Sequence, residues 1–201
     1  MPLPPSSAPR KIIHTRSISL DGWKREDGLW DIEARLTDVK HHAYVLSTGV
    51  RVKGDALHDM WIRITIDWHL NVLDAVGSID TSPYPGSCET IGPAYRQLVG
   101  LNLARGFRRA TRELFEKTSG CTHLTELLNS LPSAAIQTLG SEVDEIEGAV
   151  PGQKPFQLDK CHALDTTGEV VRRYYPRWYC GELEAASDTS SSKKDDWPVI
   201  D

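Results

Sequence analysis

Apolar and polar residues alternate strictly along one stretch of this chain. Trp30, Ile32, Ala34 and Leu36 share one parity, and Asp31, Glu33, Arg35 and Thr37 share the other. A helix would scatter that pattern around its axis. An extended chain with one face buried preserves it, so 29–40 is expected to be a half-buried antiparallel strand. The same period recurs over 58–67, where Met60, Ile62, Ile64 and Ile66 oppose Asp59, Trp61, Arg63, Thr65 and Asp67. An Ile-containing segment at 11–20 and a further one at 71–79, entered by a tight turn through Trp68 and His69, supply two more strands. The segment 41–55 between the patterned strands reads as a polar linker. SPYPGSC at 82–88 cannot continue a central strand, because its two prolines lack ladder donors.

The second half carries helical signals. Pro93 suits the first turn of a helix, where its missing N–H costs nothing. Gly100 and Gly106 weaken its continuation, which predicts a break over 100–105. Phe107, Ala110, Thr111 and Leu114 then form a helical stripe. Gly120 stands where a helix end wants positive φ. Thr122 can cap the next helix, whose buried stripe is Leu124, Leu127, Leu128 and Leu131. The segment 168–179 is expected to return as a strand. Strands first and helices afterwards imply an α+β fold, an antiparallel sheet of four or more strands with helices packed on one face. Residues 1–10, rich in Pro and Ser, and 181–201, acidic and polar, read as disordered tails around a single domain over 11–180. The uncovered sheet face makes a homodimer the expected assembly.

Charge and hydropathy narrow the function classes. A net charge of −5 argues against an electrostatic nucleic-acid binder, which needs basic surface to neutralise phosphates. Arg105, Arg108, Arg109 and Arg112 read as a solvated helix face. No apolar run approaches the ~20 residues that span a bilayer, and 1–11 lacks the apolar middle of a secretory signal. A cytoplasmic protein with its four cysteines as thiols is expected.

The alternation also has a chemical consequence. Carried past Leu36, the apolar parity reaches Asp38 and Lys40; carried back from Met60, it reaches His58. If the two strands pair as neighbours, Asp38, Lys40 and His58 gather at one rim of the apolar face, a placement that depends on register. An amine in an apolar setting gives up its proton more readily, and an imidazole moves protons near neutrality. The cluster therefore reads either as proton-transfer machinery or as a structural ion pair closing the sheet edge. On the opposite parity, Arg63 either bridges Asp59 and Asp67 or grips a substrate carboxylate. Tyr84, on its proline-fixed loop, is a candidate proton donor. His123, in the first turn of a helix, is a candidate neutral donor to an anion. Cys88, Cys121, His123 and Cys161 are metal-ligand types, but no C-x-x-C spacing joins them, and no metal site is assigned.

The stretches DGLWDIEARLTDVK, LHDMWIRITID, SPYPGSCETIGPAYRQLVGL and GCTHLTELL, in that order, resemble a bacterial family known as a domain of unknown function. The chain is also similar to members associated with lignin-dimer breakdown, where the activity is a phenylcoumaran γ-formaldehyde lyase. That resemblance implies a cofactor-free lyase acting on a small aromatic substrate. It implies Lys40 or His58 as base, Asp38 as orienting partner and Tyr84 as proton donor. Trp30, Met60 and Ile62 would line an apolar slot, and Arg63 or His123 would hold a substrate carboxylate. The competing classes are a small-molecule-binding accessory protein without turnover and a metal-dependent hydrolase.

Overall fold

Four long strands form one antiparallel sheet in a computed structural model that describes residues 3–140, 154–155 and 157–181. They are β1 (His14–Lys24), β2 (Trp30–Lys40), β5 (Ala56–Ile66) and β6 (Val72–Thr81), in the spatial order β1-β2-β5-β6. The segment 41–55, expected as a linker, folds into a small hairpin of β3 (Tyr44–Leu46) and β4 (Gly49–Arg51). Thr48 Oγ1 donates to the Pro83 carbonyl at 2.9 Å, and Arg51 donates to that of Ser82 at 3.2 Å. The hairpin is thereby tied to the loop after β6.

The patterned strands bury the side that their alternation marks. Ile32, Ala34, Leu36, Ile62, Ile64 and Ile66 are all 0% exposed. Each large apolar side chain so buried stabilises the fold by about 1.5–3 kcal/mol. Helices α1 (Phe107–Leu114), α2 (Thr122–Leu128) and α3 (Leu131–Gly140) cover this face, adding Phe107, Leu124, Leu127, Leu128, Leu131 and Ala135 to the core. The outer face carries Arg35, Asp59, Trp61, Arg63 and Thr65. There Arg35 binds Asp59 in a two-pronged pair and lies over the Trp61 ring.

The helical half departs from expectation in detail. The helix expected from Pro93 is a 3-10 helix over Cys88–Leu98 that holds Pro93 inside it. Its Gly92 passes so close to β6 that a Cβ there would lie 2.6 Å from the Gly77 carbonyl oxygen. Gly120 is extended, at φ −144°, so it ends nothing by positive φ. Thr122 is the first residue of α2; the cap position belongs to Cys121, without a side-chain hydrogen bond. The break over 100–105 is present, with Gly100 and Gly106 both at positive φ.

By its contacts the chain divides into two compact units, Met1–Ile146 and Glu147–Asp201. In the second, the expected strand over 168–179 is instead α4 (Glu169–Tyr174) followed by a 3-10 turn. Two prongs hold Asp159 there: Lys154, and the amide and hydroxyl of Thr166. They bring its carboxyl down to about 2. Residues 3–10 have no helix or strand and are exposed; of the expected tail at 181–201, all but Gly181 lies outside the described residues. Among the described residues, no helix is long and apolar enough to cross a membrane.

Candidate active site

The register of β2 with β5 sets Asp38 directly opposite His58. Both lie on the core parity, 1% and 7% exposed. A carboxylate taken out of water needs donors for its lone pairs, and this one has four. His14 Nε2 and Arg16 Nε meet Oδ1 at 2.8 and 2.9 Å; Arg16 Nη2 and His58 Nδ1 meet Oδ2, each at 2.8 Å. Burial by itself raises a carboxyl pKa. At Asp38, hydrogen bonds from Arg16, His58 and His14 more than reverse that effect and hold the group well below the usual carboxylate range.

An ionised carboxylate only accepts, so the proton in the Asp38–His58 bond is the imidazole's. Neutral His58 therefore carries its lone pair on Nε2. Against this ring lies His123 from the first turn of α2, with ring centroids 3.8 Å apart. Burial, then the electrostatic influence of His58 and Arg16, push the His123 pKa down, which favours its neutral form. Cys121 Sγ stands 4.0 Å from His123 Nδ1 and 3.9 Å from Met60 Sδ. Arg16 also reaches Glu126, one turn beyond His123, and so ties β1 to α2. Thr122, Thr125, Glu126 and Asn129 with Phe115 and Lys117 line a cleft of about 420 Å³ on α2.

Of the expected residues, Asp38, His58 and His123 come together. Lys40 sits one step farther toward the rim on the same parity, paired in register with His14, and its ammonium lies 5.7 Å from the centre of the Tyr44 ring. Tyr84, 53% exposed, belongs to the loop leaving β6 at Thr81, which pairs with Asp59 beside His58. Arg63 is on the other face of the sheet, 3.6 Å from Glu33, and neither bridges Asp59 and Asp67 nor faces Asp38. Asp59 pairs with Arg35, and Asp67 accepts from Asn71. Trp30, Met60 and Ile62 are core residues, 7%, 1% and 0% exposed. Among the described residues, the imidazole and carboxylate atoms of Asp38, His58 and His123 lie within 4.8 Å of one another. Of the cysteines weighed as metal ligands, Cys121 adjoins this cluster.

His14, Arg16 and Glu126 were not foreseen. For the first two a signal exists: His14, Arg16, Ile18 and Leu20 share one parity in HTRSISL, so the β1 alternation already aims them at the face that carries Asp38. Nothing comparable marks Glu126.

A family model described as protein of unknown function (DUF2889) matches residues 14–137. The matched segment takes in every residue of the cluster, from His14 to Glu126. No curated protein matches the chain, and no solved structure does.

Proposed function

The chain belongs to the DUF2889 family, and from that premise we propose that it is a cofactorless carbon–carbon lyase that opens a phenylcoumaran to a stilbene and releases formaldehyde. The observation that supports this reading is the hydrogen bond between Asp38 and His58. A buried carboxylate that orients an imidazole through Nδ1 leaves Nε2 free to take a proton, which is what a general base requires. The substrate class is drawn from the sequence resemblance.

In this reading His58 takes the proton of the substrate's hydroxymethyl group. The bond between that carbon and the ring breaks, and the carbon leaves as formaldehyde. The released electron pair becomes the stilbene double bond as the ether C–O bond opens, and the phenoxide so formed takes up a proton. One proton leaves and one returns, so no oxidant or reductant enters the balance. His58, once it carries that proton, can return it to the phenoxide, with Tyr84 at the same rim as the second candidate. Lys40 becomes a rim cation suited to a phenolate, in place of the base. The cleft on α2, lined by none of Asp38, His58 and His123, has a volume in the range of small-ligand sites. Reduced thiols and a catabolic substrate fit a cytoplasmic setting.

Incubating the full chain with a phenolic phenylcoumaran tests the proposal. Formaldehyde and stilbene should appear in equal amounts. Demonstrated binding with neither product rejects the lyase and leaves a binding protein without turnover.

A further inference from the structure

We propose that Asp38, His58 and His123 form a binding site for a borderline divalent transition-metal ion of the Zn²⁺ class, in which the ion takes the place of the proton shared by Asp38 and His58. The ligand atoms of these three side chains already lie within 4.8 Å of one another. Tetrahedral zinc, with bonds of roughly 2.0–2.2 Å, holds neighbouring ligand atoms about 3.3–3.5 Å apart. Asp38 Oδ2 and His58 Nδ1, now 2.8 Å apart, need to separate by only about half an ångström to admit it.

His123 must do more. An imidazole lone pair lies in the ring plane, so two stacked rings cannot both aim at one ion. The stack has to open by rotation of His123, the only one of the three that is not buried. The donor set of two nitrogens and one carboxylate oxygen suits Zn²⁺, Co²⁺ or Ni²⁺ better than hard cations. Arg16 keeps its Nε bond to the other carboxylate oxygen while the ion displaces its Nη2 from Oδ2, and the remaining bond fixes the ligand from behind as outer partners do at metal sites. Its positive charge is met by Glu126 as well as by Asp38. His14 remains on Oδ1. Cys121 Sγ, 4.0 Å from His123 Nδ1, adjoins the three ligands and is the natural alternative donor.

Binding in this manner moves the Nδ1 proton of a neutral His58 to Nε2. On the lyase reading above, ion and substrate would then compete for one imidazole, but the binding itself does not rest on that reading.

Calorimetric titration of metal-free full chain with Co²⁺ and Zn²⁺, in two buffers of different ionisation enthalpy, tests the site without any substrate. One ion should bind per chain, with the same heat in both buffers, because neutral imidazoles and an ionised carboxylate bind without releasing a proton. The Co²⁺ complex should show ligand-field absorption without the charge-transfer band of a thiolate. His123→Ala and His58→Gln should each weaken binding by at least about 10- to 100-fold, while the double variant Cys161→Ser/Cys180→Ser leaves it unchanged. His123→Ala changes a partly exposed side chain and keeps the core; an unaltered far-UV spectrum verifies its fold. Unchanged affinity in His123→Ala, a thiolate band, or no binding at submillimolar ion overturns the assignment. Since the readout is heat and absorption, failure here leaves the lyase proposal standing, and failure of the lyase leaves this one standing.

Discussion

Asp38 and His58 face each other across two adjacent strands and share a 2.8 Å hydrogen bond on the buried side of the sheet. Four donors converge on the one carboxylate, so it acts as a hub between β1, β2 and β5, and through Arg16 it reaches α2.

Replacing that hub should be expensive. Asp38→Asn keeps the shape but removes the charge that Arg16 and two histidines converge on, and loss of one partner of a buried ion pair costs about 3–5 kcal/mol. Urea denaturation should show the midpoint fall with the slope unchanged.

Acid should weaken the fold in two stages. The His123 pKa is lowered by folding, so below about pH 6.5 the unfolded chain takes up a proton that the folded chain resists, and stability drops. The Asp38 carboxyl is also lowered. Its contribution is fully present above its unfolded value of about 4 and is lost as pH falls from there toward the folded value. Both shifts act in the same direction. Denaturation midpoints measured from pH 8 to pH 3 should fall below about pH 6.5 and again below about pH 4, and His123→Ala should flatten the upper stage.

The proposed base and the rim lysine predict different outcomes. His58→Gln should cut formaldehyde release by about 10²–10⁴-fold, the usual worth of a positioned base. Lys40→Met should retain a much larger share of the rate, because its ammonium lies over Tyr44 rather than on Asp38. A single-turnover assay decides between them; if Lys40→Met proves the dead variant, the roles are reversed.

Gly92→Ala should destabilise the first unit by about 1–3 kcal/mol, as overpacking does. The new methyl would meet the Gly77 carbonyl oxygen at 2.6 Å, and backbone there belongs to a paired strand that cannot swing aside. Thermal melting measures the loss.

Much of the sheet was legible before any coordinates. The period of two marks the buried sides of β2 and β5, and carrying that parity to the strand ends brings Asp38 and His58 to the same rim. The helices were less legible. Gly120 and Thr122 fit capping rules that turn geometry did not use, and 168–179 has strand-like residues yet forms a short helix and turn. Local propensity there is weak enough for neighbouring contacts to override it.

What the sequence determined by itself was which side chains lie on each face of each strand, because side-chain direction alternates with every residue and burial selects one parity. What only the tertiary structure decided was which of those side chains meet. Pairing of β1 with β2 delivers His14 and Arg16 to Asp38, and packing of α2 on the sheet stacks His123 against His58. Arg63, correct in parity, is excluded from the cluster by the thickness of the sheet. Contacts between residues distant along the chain depend on strand order and helix placement, and these are set by the collective burial of the core rather than by any local pattern.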